Sequence, residues 1–288
     1  MAYLVVRLLH LLLFTIAGRG DRDLFGAVLR TLPGSAVAPI LLVVAGATSG
    51  TAQLALWGTA LAVLYLSPLI GHMRGFRVSP PHFVERFALV IIIALGESIV
   101  AIGVGVAGNP LDAGVIGSAL LGITVAACLW WAYFDWVVYV AQARLAEAAG
   151  QRRAQLARDA YSYLHLPMIA GIVLFAFGLK TALPNVNASL PIVPALGIVG
   201  GIALYLLAHV ALRLRIGGGL GRGRPVAAIL LFALLPAARV APAIATLGTV
   251  AAICVSLIAY EVLAHRDERG WIRSRRAAFT MEEGGRVT

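Results

Sequence analysis

The sequence predicts an all-α membrane protein, a polytopic bundle of about nine transmembrane helices. Three observations predict it. The chain has 288 residues, 60% hydrophobic and only 12% charged, roughly half the charged fraction of a soluble domain. Its mean hydropathy is +0.91, and apolar runs long enough to cross a hydrocarbon core of about 30 Å recur along its length. The net charge of +10 collects in the segments between those runs. Retention of basic residues on the cytoplasmic side accounts for it without nucleic acid, which is not expected as a partner.

The runs fall at residues 2–18, 34–49, 51–70, 82–107, 114–140, 161–183, 191–212, 225–240 and 242–262. The first has no basic leader and no small-residue cleavage site, so it is expected to remain as a span. The second and eighth are short. The pairs 34–49/51–70 and 225–240/242–262 are predicted as tight helical hairpins, broken at Gly50-Thr51 and at Pro242. With alternate segments on opposite sides, one side collects Arg19, Arg22 and Arg30, then Arg74 and Arg77, then Arg144, Arg152, Arg153 and Arg158. It also collects Arg213, Arg215, Arg222, Arg224 and the arginines of the tail. The other side keeps Lys180 and Arg239, while Arg7 and Arg86 lie inside runs. This bias puts the C-terminus in the cytoplasm. Residues 1–262 form the transmembrane domain, and 263–288 form a basic cytoplasmic tail too poor in apolar residues to fold. The Ala-rich, charged segment 141–160 is predicted as an amphipathic helix on the bilayer surface, in contact with anionic lipid.

Ionisable residues inside the runs are the functional candidates, because a charge in hydrocarbon is expensive and normally faces protein or water. Orientation ranks them by depth. His82, Glu85 and Arg86 enter the fourth run, Asp135 leaves the fifth, His165 begins the sixth, and His209 and Glu261 near the ends of the seventh and ninth. All belong to one inner layer. Arg86 is the fixed positive charge among them and is expected to pair with Asp135 first, and with Glu85 or Glu261 second. Snorkelling to the interface explains Asp135 and Glu261 equally well, with Trp130, Trp131, Tyr133, Trp136 and Tyr139 as an aromatic belt.

Glu97 lies about 22 Å into its helix at 1.5 Å per residue, where it is expected to face Arg7 or His10 of the first run. His82, Arg86, Ile93 and Glu97 share one stripe at helical spacing. Gly96, Ser98, Gly103 and Gly105 are small residues that let helices approach. The fourth run is therefore expected at the bundle centre. Its stripe reads either as a proton or ion path or as a static network that sets packing.

Enzyme and metal readings find no support in the motifs. His82-x-x-Glu85 lacks the second histidine of a zinc helix, position 86 being Arg. Ser98 has no Gly-x-Ser-x-Gly setting. Cys128 and Cys254 lie in apolar runs and read as small buried thiols. The glycine-rich segment 216–224, IGGGLGRGR, has no Lys-Ser/Thr after the glycines and follows no strand, so it reads as a flexible loop rather than a phosphate cradle. No catalytic residue, metal or cofactor is expected, and nothing in the sequence sets an oligomeric state.

The segment HFVERFALVIIIALGESIVAIG at 82–103 resembles the VERFGL…IIALGES signature of the bacterial low temperature requirement A (LtrA) family. The resemblance continues through WWAYFD at 130–135, RDAYSYLHLPMIAGIVL at 158–174, LYLLAHVALRLRIGGGL at 204–220 and AYE at 259–261. It implies a bacterial integral membrane protein without an established catalytic activity or substrate. Members of the family usually carry further N-terminal spans opening on an ELFFDLVF-like segment, which the resemblance implies are missing here. That segment is similar to VERFALVIIIALGES itself, which suggests an internal repeat of the kind common in transporters. The functional expectation is transport or permeation of a small solute or ion through the charged path, in the inner membrane. The alternatives are a structural or stress-adaptive membrane protein and a membrane enzyme acting on lipid.

Overall fold

In hydrocarbon each backbone N–H and C=O needs an internal partner, and a helix supplies one within its own segment. The computed structural model describes residues 2–20, 22–70, 79–108, 110–135 and 137–264, and the named elements there are all helical. In chain order they are α1 (Ala2–Ala17), α2 (Arg22–Gly46), α3 (Gly50–Ile70), α4 (Pro80–Val106), α5 (Ala113–Phe134) and α6 (Val137–Glu147). Then follow α7 (Gly150–Ala157), α8 (Leu164–Ala182), α9 (Ile192–Ala195), α10 (Gly201–Arg215), α11 (Gly223–Ala238) and α12 (Ala243–Ala264).

Among the described residues seven helical runs are long and apolar enough to cross a membrane. They are Ala2–Gly20, Gly50–Ser67, Pro80–Val106, Ala113–Glu147, Gly150–Asn185, Ile192–Arg215 and Ala243–Ala264. Two shorter apolar helices, Gly34–Gly46 and Gly223–Ala238, occupy the second and eighth predicted runs. The molecule is an all-α, multi-pass membrane protein. Arg74, Arg77, Trp136 and the tail from 265 onward lie outside the described residues.

The chain divides into two units, Met1–Ser79 with Ala146–Arg158, and Pro80–Leu145 with Asp159–Thr288. In the first, α2 packs on α1 and on α3. The α2–α3 hairpin turns at Gly50, whose φ of +67° suits glycine, and the Gln53 amide closes it by donating to the Ala45 carbonyl at 3.1 Å. The segment expected to lie on lipid, 141–160, runs from α6 into the short helix α7. Helix α7 is amphipathic, exposing Gln151 and Arg152, but its apolar face of Ala154, Leu156 and Ala157 is already buried by protein. Arg153 turns back to cap the end of α6, donating to the carbonyls of Ala148 at 2.7 Å and Ala146 at 3.1 Å.

In the second unit the most completely buried of the seven runs is Ile192–Arg215, not α4. Helix α4 buries a seam of Val84, Ile91, Ala94, Leu95, Ser98, Ala101, Ile102 and Gly105 against α8 and α5. His82, Arg86, Ile93 and Glu97 lie outside that seam and are exposed, Ile93 by 71%. Within the second unit the apolar seam, repeating at steps of three and four, decides which face of α4 packs on α8 and α5, and the charged stripe lies on another face. The small residues divide accordingly: Ser98 and Gly105 are buried, and Gly96 and Gly103 are exposed.

Two glycine pairs bring the central helices together. A Cβ on Gly201 would lie 2.6 Å from the Gly171 carbonyl oxygen, and one on Gly197 would lie 2.7 Å from the Leu174 carbonyl oxygen. Helix α8 therefore crosses the α9–α10 run at backbone contact. Both runs carry a π-helical segment, Arg158–Tyr163 before α8 and Leu196–Gly200 before α10. Pro167 in α8 has no N–H to give and crowds the turn before it, which is where the first wide segment sits. The start of α12 is held by the loop after α8, with the Ala243 and Ile244 N–H groups donating to the Ala188 and Val186 carbonyls, each at 2.9 Å.

Candidate functional site

The polar side chains of the second unit converge where α5, α10 and α12 end and α11 begins. Asp112 caps the start of α5, accepting from the Val115 N–H at 2.8 Å, and its far end carries the site. Leu129, Ala132 and Tyr133 are spaced three and four apart, so they share one face. Helix α5 stops at Phe134, so the Ala132 carbonyl lies in its last turn, where side chains can reach the terminal carbonyls.

Arg224 reaches that carbonyl and two side chains besides. Its Nη2 donates to the Ala132 carbonyl at 3.0 Å and to Glu261 Oε2 at 3.1 Å. Its Nε donates to Glu261 Oε1 at 2.7 Å, and its Nη1 to His209 Nδ1 at 2.7 Å. The forked pair with Glu261 is of the strong bidentate type, and both side chains are only 13% exposed. Arg224 lies in the first turn of α11, near the positive end of that helix's dipole, so the carboxylate and the carbonyl end of α5 compensate its charge.

The two histidines are fixed by their partners. His165 Nδ1 lies 2.9 Å from the Ala160 carbonyl within the π-helical turn. A carbonyl only accepts, so Nδ1 carries the proton and Nε2 is left to accept. Tyr133 Oη donates to that Nε2 at 2.7 Å. His209 has the opposite tautomer. Its Nδ1 accepts from Arg224, which puts the proton on Nε2, a buried atom without a hydrogen-bond partner among the described residues.

The tyrosines join the parts. Tyr133 meets both imidazoles edge-on, at ring-centroid distances of 5.5 Å to His165 and 5.9 Å to His209. Tyr205 Oη donates to the Leu129 carbonyl at 2.7 Å, and its ring lies 4.5 Å from His209. Tyr161 stacks on His165 at 5.0 Å and 19°. These three tyrosines are the largest fully buried side chains in the protein's described part, and both histidines are buried. Replacing Tyr133 by Phe would leave His165 Nε2 buried without its donor. We expect a loss of about 1 kcal/mol of stability, read as a lower unfolding midpoint in detergent, with little further loss when Tyr133→Phe is added to His165→Phe.

The predicted site residues thus separate. His165, His209 and Glu261 are brought into one polar cluster through Tyr133 and Arg224, with Arg224 rather than Arg86 as its cation. The expected Arg86–Asp135 and Arg86–Glu261 pairs do not form, because Arg86 is exposed on α4 and Glu261 is held by Arg224. Asp135 is half-buried at the C-cap of α5. His82 and Glu85 face each other at 3.9 Å on an exposed surface, with side chains 81% and 70% exposed, where an ion pair contributes little. Glu97 lies outside the seam by which α4 packs on α8 and α5. In the first unit Arg7 donates to Ser35 Oγ at 2.9 Å, and His10 stacks on Phe14 at 4.7 Å.

Sequence reasoning missed Arg224 and took Tyr133 for an interfacial belt residue. Two signals were available. Pro225 favours a helix start within the preceding residues, which draws Arg224 into the first turn of α11. Tyr161/His165 and Tyr205/His209 also repeat one spacing, Tyr-x-x-x-His, which puts ring and imidazole on the same helical face in both α8 and α10.

The comparisons with known proteins agree with the architecture. A curated relative, the uncharacterized protein RA0937 of Rhizobium meliloti (strain 1021), is 28% identical over 171 residues. The match covers 56% of this chain and 41% of that protein, so the chain spans less than half the length of the relative it resembles. No solved structure matches the chain. The family described as bacterial low temperature requirement A protein (LtrA) matches residues 1–259, nearly the whole chain and the site up to the last turns of α12. The chain therefore belongs to the LtrA family of bacterial membrane proteins.

Proposed function

We propose that the protein moves a small solute or ion across the bacterial inner membrane, with its C-terminus in the cytoplasm. The layer of Tyr133, His165, His209, Arg224 and Glu261 serves as the coupling element, and no enzymatic step is assigned to it. The observation that carries this reading is His209. A buried imidazole with one nitrogen accepting from a guanidinium and the other without a partner among the described residues is costly as a purely structural choice. A proton arriving at Nδ1 would turn that acceptor into a donor and repel Arg224, releasing it from His209 while Glu261 remains as its counter-charge. One proton would thereby change the contacts between α10, α11 and α12.

A second reading is favoured by the saturation of Arg224. Its guanidinium already makes four hydrogen bonds to protein acceptors, as a static clamp between helices would. Reconstitution in proteoliposomes separates the two. In the transport reading an imposed pH gradient drives solute or ion flux through the wild type. His209→Gln, which keeps an acceptor but takes no proton, abolishes the pH dependence while the unfolding midpoint stays close to wild type. Wild-type vesicles without flux under any gradient, together with a lowered midpoint in His209→Gln, would leave the static clamp.

A further inference from the structure

Helix α10 ends at Arg215, α11 begins at Gly223 and α12 ends at Ala264, and these three ends border one cleft of about 300 Å³. Its lining includes Val210, Leu220, Gly221, Arg224, Tyr260 and Glu261. The glycine-rich segment expected to be a flexible loop supplies one wall. Helix α10 closes through Gly217 at φ +85°, whose N–H donates to the Leu214 carbonyl at 3.1 Å. A Cβ on Gly223 would lie 2.9 Å from Leu257 Cδ1 and 3.0 Å from the Tyr260 ring. The start of α11 therefore lies against α12, which brings Arg224 and Glu261, the next residue of each, within reach of one another.

Exposure falls steeply from the rim of this cleft to its floor. Leu220 and Tyr260 are 57% and 45% exposed. The Arg224 and Glu261 side chains are 13% exposed, and His209 behind them is 1% exposed. The Arg224 guanidinium lies between these levels, because it reaches both Glu261, which lines the cleft, and the buried Nδ1 of His209. The nitrogen of His209 that carries the lone pair is thus covered by a side chain of the cleft floor. The other groups facing His209 are Tyr205 on its own helix, Tyr133 of α5 and His165 of α8, all of them buried.

We propose that this cleft is the aqueous entrance by which a proton reaches His209, and that Arg224, held by Glu261, is its gate. Hydronium entering the cleft meets the guanidinium before the imidazole. Once the Arg224–His209 contact parts, it passes its proton to the Nδ1 lone pair and leaves as water. Glu261 holds the guanidinium over Nδ1 through both carboxylate oxygens, so weakening that fork loosens the gate. With the C-terminus in the cytoplasm, as proposed above, the entrance opens on the cytoplasmic side. The inference rests on the transport reading and names its proton route, but its test reads access rather than flux. An entrance can therefore fail while flux is observed, and flux can be absent while the entrance is there.

Carbethoxylation by diethyl pyrocarbonate tests it on the purified protein in detergent, with peptide mass spectrometry giving the rate at each histidine. The reagent attacks the imidazole nitrogen that bears the lone pair, which in His209 is the Nδ1 that Arg224 covers. We expect exposed His82 to react fast, and buried His165 and His209 slowly. Glu261→Gln should speed the reaction of His209 about tenfold, the size of one lost charge-assisted contact, while His165 keeps its wild-type rate. A bulky maleimide on Leu220→Cys, in a chain with Cys128 and Cys254 replaced by Ala, should close the entrance and slow His209 without changing His82. Acceleration of His165 and His209 together would reveal general loosening and overturn the gate. So would a His209 rate that neither Glu261→Gln nor the maleimide moves. Should Glu261→Gln fail to fold, the maleimide on Leu220→Cys decides alone, since Leu220 stands at the exposed rim.

Discussion

Replacing Arg224 by Met is expected to remove about 3–5 kcal/mol of stability, the range seen when one partner of a buried ion pair is deleted. The substitution keeps much of the apolar stem but deletes the guanidinium. Glu261 is then left nearly buried without the Arg224 guanidinium, and the Ala132 carbonyl and His209 Nδ1 each lose the hydrogen bond it donates. The carboxylate can take up a proton to relieve its charge, which caps the loss. Lysine should rescue poorly, because a single ammonium cannot reproduce a fork that binds both carboxylate oxygens and two further acceptors. By contrast, Arg224→Met combined with Glu261→Leu should recover much of the loss, because two apolar side chains carry no desolvation cost. Denaturant titration of the purified protein in detergent measures all four proteins. An Arg224→Met protein as stable as the wild type would show that the pair holds nothing together.

The second large effect is expected at the helix crossing. Gly171→Ala adds one methyl group 2.9 Å from the Tyr205 backbone N and still closer to the Gly201 carbonyl. Backbone atoms cannot rotate aside as a side chain can, so α8 and α10 must separate along their length. Overpacking in a close-packed interior costs about 1–3 kcal/mol and occasionally more, and a clash with backbone on both sides belongs at the upper end. Separation would also move Tyr205 away from the Leu129 carbonyl and His209 away from Arg224, so the stability loss should be accompanied by disruption of the site. Gly96→Ala provides the contrast. A Cβ there meets nothing within 4 Å, and exchanging a mid-helix glycine for alanine is expected to gain up to about 1 kcal/mol. Equal unfolding midpoints for the two variants would refute the close crossing.

The sequence by itself determined that this is a multi-pass helical membrane protein, because apolar length and the need to satisfy backbone groups in hydrocarbon are local properties of each run. It determined both helical hairpins too, since Gly50 and Pro242 act on the chain immediately around them. Three members of the polar cluster, His165, His209 and Glu261, were also visible as ionisable residues inside apolar runs of different helices. Which face of each helix turns inward is a different kind of question. On α4 a charged stripe and an apolar seam are equally plain in the sequence, and only the shape of α8 and α5 decides that Val84, Ile91, Ser98 and Ile102 are covered while Arg86 and Glu97 are not. The partner of Glu261 was hidden for the same reason. Arg224 is 37 residues away in sequence, and its other partners are 15 and 92 residues away. Contacts that bring three such distant segments to one guanidinium follow from the packing of whole helices, and no local pattern of residues encodes them.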